Sequence, residues 1–210
     1  HRMIVLSRTY RQSSLATATA RRIDPRNRLL SHMPVRRLSG EAIRDGILAA
    51  AGTLDRTVGG PPVHPPVDPT LRADTFQGMN WPDAKDTPDT WRRSVYVKVK
   101  RSLLLPQLEV FDCPEITFAV AKRNVTTTPL QALHLLNDPL VRRQAGLFAQ
   151  RLEREIPGNR VAQIERGWRL ALGRRPSAVE RAAVLQFLGH RSLADVCHAL
   201  YNLNEFVYVP

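Results

Sequence analysis

The chain is poor in cysteine, aromatic rings and acidic side chains. Its two cysteines, Cys113 and Cys197, in 210 residues provide neither a disulfide framework nor a C-x-x-C pair. No apolar run approaches the roughly 18–20 residues that a membrane helix needs. The Walker-type phosphate loop is missing, as are G-x-G-x-x-G, H-E-x-x-H and G-x-S-x-G, so the common nucleotide, zinc-protease and hydrolase motifs are excluded. The histidines at 1, 32, 64, 134, 190 and 198 are scattered, with no pair at helical metal-ligand spacing. No catalytic residue and no metal ligand is therefore assigned.

What the chain has in surplus is arginine. Lys plus Arg total 31 against 19 acids, a net charge of +12, and only four of the cations are lysines. Such a surplus attracts polyanions or an acidic partner. The arginines are dispersed, however. The densest groups are Arg21-Arg22 to Arg28 and Lys98-Val99-Lys100-Arg101. Neither an RNP-type aromatic signature nor zinc-finger spacing accompanies them, so charge alone does not single out nucleic acid. The chain opens on His1-Arg2, and the apolar stretch Met3–Leu6 is too short for a signal peptide. These features lead us to expect a fragment of a longer polypeptide. Cys197-His198 matches half of a c-type haem attachment motif, but the first cysteine is missing. Cys197 is instead expected as a small buried helix residue.

Periodicity predicts a mainly α fold: a multi-helix bundle or array with one small β-hairpin-like element and a long Pro-rich irregular loop. Residues 1–58 are read as an N-terminal helical part, in which Ser39 caps a helix striped by Ile43, Ile47, Ala50 and Leu54. Residues 59–92 form the irregular loop, wrapped or partly mobile, and 93–122 an extended segment. In the latter Val95, Val97 and Val99 alternate with Tyr96, Lys98 and Lys100, the period of a strand with one buried face. Residues 123–210 are a C-terminal helical part of the same domain.

The punctuation of that last part is explicit. Thr128-Pro129-Leu130-Gln131 reads as a capping box with proline at the first helical position. Asp138-Pro139 repeats the device. Ser177 with Glu180, and Ser192, open further helices, and Asn159 caps the one between. The helix over 129–137 is apolar all round and is expected to be central and buried, with His134 a core histidine satisfied by one hydrogen bond. Thr126 and Thr127 are not explained by capping. Glu41 and Asp45 share a helical face, where an ion-pair network with Arg37 and Arg44 is expected. Asn124-Val125-Thr126 matches a glycosylation sequon, a pattern frequent by chance.

Several stretches in order, "SRTYRQSS" (7–14), "EAIRDGILAAAGTLD" (41–55), "RRSVYVKVKRSLLLPQLEVFD" (92–112), "RNVTTTPLQALHLLNDPLV" (123–141), "ALGRRPSAVE" (171–180) and "LADVCHALYNLNEFVYV" (193–209), resemble one family. It is the planctomycete "PSD one" domain, a C-terminal domain of unknown function of cytochrome-c-linked exported proteins. The resemblance implies an extracytoplasmic module behind upstream domains of the same polypeptide. Any haem c would sit on an upstream module, with no cofactor in this segment. The family supplies no catalytic residues. The polar residues of the shared stretches, Tyr10, Arg11, Arg44, Asp45, Thr126, Gln131, Asn137, Asn204 and Glu205, are expected as one buried, satisfied network that fixes the fold. Three functions follow as expectations: docking onto neighbouring domains, an anionic polysaccharide or another anionic surface; an enzyme acting on an extracellular substrate such as a carbohydrate, whose same polar residues meet in an open cleft beside the Pro-rich loop; and polyanion or nucleic-acid binding through the surplus arginine.

Overall fold

The structure is a computed structural model that describes residues 1–73, 81–101, 103–114, 116 and 118–209. In chain order the elements are α1 (Arg2–Val5), α2 (Ala18–Ile23), β1 (Arg36–Arg37), α3 (Gly40–Ala51), α4 (Pro69–Ala73), α5 (Pro106–Val110), α6 (Pro129–Asn137), α7 (Pro139–Glu155), α8 (Arg160–Leu172), α9 (Ala178–Phe187), α10 (Leu193–Tyr201), α11 (Asn204–Val207) and β2 (Tyr208–Val209). The fold is mainly α.

The core is where α3, α7 and α10 meet. Ile43 and Ile47 of α3, Phe148 and Leu152 of α7, and Val196, Leu200 and Tyr201 of α10 are almost wholly shielded from water. Full burial of side chains this large is worth about 1.5–3 kcal/mol each. Phe148 stacks on Tyr201 with ring centroids 5.8 Å apart, and Tyr201 meets Phe206 at 5.1 Å. The Tyr201 hydroxyl is satisfied inside the core by donating to the Ile47 carbonyl at 3.1 Å. Cys197 is buried beside them, and both cysteines are free thiols.

Local chemistry sets the helix ends as expected. Ser39, Asp138, Asn159, Ser177 and Ser192 each accept a hydrogen bond from a backbone N–H in the first turn of their helix, answering donors that would otherwise be unpaired. At Thr128 the Gln131 carbonyl oxygen accepts from the Thr128 N–H at 3.4 Å. Gly52 closes α3 in the left-handed conformation, φ +78°, so the helix stops before Leu54. Gln163 of α8, 2 % exposed, donates to the Ile156 carbonyl at 2.7 Å and so answers the end of α7 from the next helix.

Two expectations are corrected. The strand over 94–100 is absent: Ser94–Tyr96 is a single 3-10 turn, and although Val97 is buried, Val95 and Val99 are exposed. Side chains of α3 hold this stretch instead. Asp45 accepts from both the N–H and the hydroxyl of Ser94 at 2.7 Å, and the backbone of Tyr96 and Lys98 meets the single residue Val63 (2.8 and 2.9 Å) in an isolated bridge that does not extend into a ladder. The small antiparallel element exists elsewhere, pairing β1 with β2 (Arg36 with Val209, Arg37 with Tyr208) from opposite ends of the chain.

The second correction concerns α6. It lies on the surface, with Leu130, Leu133 and Leu136 exposed at 65 %, 51 % and 51 %, and only Gln131 and Leu135 buried. It is pinned by one side. The Gln131 amide donates to the Val110 carbonyl at 3.1 Å and the Thr126 carbonyl at 3.3 Å, leaving the leucine faces outside.

The Pro-rich stretch is wrapped by specific anchors. Trp81 is buried and donates to the Pro65 carbonyl at 2.8 Å. Arg92, 8 % exposed, donates to the carbonyls of Pro61, Thr57 and Gly59 and stacks over Tyr96, 4.0 Å from its ring centroid. The part of the loop at 74–80 lies outside the described residues.

Candidate functional site

The nine polar residues expected as one network are divided among several places. Arg44, 1 % exposed, donates to the carbonyls of Arg92 (2.8 Å) and Thr90 (2.7 Å) and lies 3.8 Å from Asp45. Burial lowers the pKa of its guanidinium, while Asp45 and Asp86 oppose that shift. This pair is a clamp that ties the irregular segment to α3.

Thr126 and Gln131 belong to a second cluster, centred on Asp112. That carboxylate accepts from Arg37 at 2.5 Å, and from the Thr126 N–H at 2.8 Å and hydroxyl at 2.9 Å. Its partial burial raises the pKa, but the Thr126 hydrogen bonds and the Arg37 charge outweigh this and hold it below its ordinary value. Thr127 meets the Tyr208 hydroxyl at 2.9 Å. The two threonines that capping left unexplained therefore bind α6 to the α5 turn and to β2.

Glu205 is in a third place, where Arg174 bridges it at 2.5 Å and Glu180 at 2.6 Å. Tyr10, Arg11, Asn137 and Asn204 are exposed and join none of these clusters. Arg44, Asp45 and Glu205 thus do not line a common pocket, and an active site built from them is not formed. The anticipated pairing of Glu41 and Asp45 with Arg37 also changes. Glu41 takes Arg123 through two contacts of 2.8 Å, while Asp45 takes Ser94.

Among the described residues a cavity of about 450 Å³ lies between α3, α5, the Pro-rich segment and the α6–α7 junction. Arg44, Asp86, Gln107, His134 and Asp138 line it, with Pro65, Pro66, Leu71 and Leu105 among its apolar walls. Each polar residue is placed by a local device. Asp138 is the N-cap of α7 through one carboxylate oxygen, donated to by Val141 at 3.1 Å. Its other oxygen lies 3.5 Å from His134 Nε2, one turn back on α6. Asp86 accepts from the Trp91 indole at 2.5 Å and lies 3.5 Å from Arg143.

His134 is not the satisfied core histidine expected. Its Nε2 has no hydrogen-bond partner, and the ring meets Phe111 edge-on at 6.2 Å. Burial lowers its pKa, opposed by Asp138, so the ring is neutral at neutral pH. A neutral imidazole beside a carboxylate could orient a substrate or move a proton. Among the described residues that line the cavity, the one hydroxyl is that of Thr90, and it donates to the Thr87 carbonyl at 2.8 Å. The arrangement supplies groups that can bind and orient a ligand. Among the described residues no group of three or more His, Cys, Asp or Glu could hold a metal ion.

Sequence reasoning passed over Asp86, Gln107, Arg92 and Asp112. Nothing periodic marks them: Arg92, Asp112 and Asp86 meet Pro61, Arg37 and Arg143 from far along the chain, and Gln107 is placed by the cavity it lines.

The fold and its clusters define a mainly helical domain held by buried arginine clamps, with no helix among the described residues long and apolar enough to cross a membrane. More particularly, the chain belongs to the family described as PSD1, protein of unknown function (DUF1553), whose model matches residues 1–188. The match takes in the Pro-rich segment and ends before the stretch 193–209. No curated protein and no solved structure matches the chain significantly.

Proposed function

We propose that this chain is a non-catalytic helical module that docks onto an acidic, partly apolar protein surface, with residues 1–36 as its docking arm. One observation carries the reading. Those 36 residues hold eight arginines, every one exposed, against the single acid Asp24, and no residue of the arm is buried. Met3, Leu15, Ile23 and Leu29 are exposed beside the arginines, at 86 %, 81 %, 69 % and 78 %.

The arm is nonetheless shaped. Thr17 caps α2, and Asn27, at φ +49°, accepts from Ser31 and donates to the His32 carbonyl. Ordering a backbone costs about 1–2 kcal/mol per residue, which burial offsets elsewhere in the chain but not here. A covering surface supplies that burial. Arginine mixed with apolar side chains is the composition of protein interfaces. A second copy would bring the same positive charge and be repelled. The exposed leucines of α6 offer a further apolar face.

In the setting the resemblance implies, the partner is a neighbouring domain of an extracytoplasmic polypeptide that carries a c-type cytochrome module. Polyanion binding is the second reading, favoured by the same arginines but giving the apolar residues nothing to do. To decide, the separately expressed neighbouring domains and heparin are each titrated with the chain. The docking reading expects the domains to bind, and Arg21, Arg22, Arg26 and Arg28 changed together to Ser to weaken that binding about tenfold or more. Binding to heparin alone, lost steeply with salt, would replace it with the polyanion reading.

A further inference from the structure

The cavity beside α6 and α7 has chemistry that docking does not use. We propose that it is a binding site for a neutral, polyhydroxylated small molecule, of the size of a one- or two-ring sugar. Its volume of about 450 Å³ lies within the usual span for small-ligand sites, roughly 300–1,000 Å³.

The first argument is hydrogen-bond accounting. Gln107, 4 % exposed, and Arg44, 1 % exposed, both line the cavity, and each keeps a buried nitrogen with no protein partner: Nε2 of Gln107 and Nε of Arg44. His134 Nε2 is in the same condition. Native interiors pair the great majority of such groups, so three orphans in the wall of one cavity point to oxygen atoms they are suited to meet. These nitrogens are covered in the present arrangement. A ligand that uses them draws the side chains toward it, most readily the terminal amide of Gln107.

The second argument is charge. An anion would face the carboxylates of Asp68, Asp86 and Asp138. A cation would face Arg44 and the N-terminal end of the 17-residue helix α7. A ligand rich in hydroxyls uses both sets without bringing charge. One hydroxyl can donate to the Asp138 oxygen that faces His134 and accept from His134 Nε2, which lie 3.5 Å apart. The proline and leucine walls accept the C–H faces of a ring.

The test is a titration of the ¹⁵N-labelled chain with glucose, cellobiose, sodium sulfate and propylammonium chloride, each separately at constant ionic strength. The Gln107 side-chain amide, assigned by its loss in Gln107→Leu, is the reporter. Saturable movement of that signal by glucose or cellobiose in the millimolar range is expected. Leu140→Trp, which fills the cavity, should abolish it, and Asp138→Asn, which keeps an N-cap but removes the charge, should weaken it about tenfold. Movement by sulfate or propylammonium without the sugars overturns the proposal in favour of a charged ligand. No movement with any of the four, or equal sugar binding by folded Leu140→Trp, overturns it as well.

Discussion

Arginine does opposite things in the two halves of this molecule. In the body, Arg44 and Arg92 are buried, and their guanidinium groups gather backbone carbonyls from segments with no secondary structure of their own. In the arm, eight arginines are exposed. The same residue serves as an internal clamp where a long irregular segment needs its carbonyls satisfied, and as surface charge where nothing covers it. The difference teaches that the +12 net charge is not one property. Residues 1–36, with eight Arg and one Asp, carry +7 of it, and residues 37–210, with 23 Lys and Arg against 18 acids, carry the other +5, part of it in the buried clamps.

If that division is right, substitutions should separate cleanly by effect. The largest losses belong to the body. Arg44→Ala strands the carbonyls of Thr90 and Arg92, and Phe148→Ala opens a cavity against Tyr201. Each should cost about 3–5 kcal/mol in urea denaturation. Asp45→Ala, which removes the acceptor for the Ser94 N–H and hydroxyl, comes next at about 1–3 kcal/mol. A loss at Asp45 equal to that at Arg44 would mean the two act as one buried pair, which their 3.8 Å separation argues against.

Acid should weaken the body. Arg174 and the Ser177 cap hold the Glu180 carboxylate well below its ordinary range, and Arg151 and Arg166 do the same for Glu155. Groups with lowered folded pKa bind more protons when unfolded. Their contribution is complete above about pH 4.5 and is lost as the pH falls below it. Melting temperature should therefore drop below that pH, and Arg174→Ser should flatten the drop. An unchanged profile in Arg174→Ser would remove this cluster from the account. The smallest effect is expected in the arm. Arg21, Arg22, Arg26 and Arg28 changed together to Ser should leave the stability of the isolated chain within about 0.5 kcal/mol. A larger loss would show that the arm is packed after all.

The sequence disclosed what local chemistry decides. The caps at Ser39, Asp138, Asn159, Ser177 and Ser192 and the stripes of α3 and α7 were legible, because a helix end or an apolar face is set within a few residues. The exposure of α6 was not. Whether a wholly apolar helix is covered depends on what the rest of the chain brings to it, and here Gln131 and Leu135 anchor one side while Leu130, Leu133 and Leu136 stay exposed. The strand expected over 94–100 failed for a similar reason: Asp45, far back in the chain, takes the Ser94 N–H, and the backbone at Tyr96 and Lys98 finds one bridging residue, Val63, instead of a partner strand. The cavity was hidden too, since Arg44, Asp86, Gln107 and His134 come together only through those long-range ties. The family match names kinship, and the chemistry has to be read from such contacts.

The most direct measurement is amide hydrogen exchange of residues 1–36, compared between the isolated chain and the longer natural polypeptide in which the docking proposal places it. The docking account predicts fast exchange across the arm in the isolated chain and strong protection in the natural polypeptide, with the α3–α7–α10 core unchanged between them. Equally fast exchange of the arm in both would contradict it.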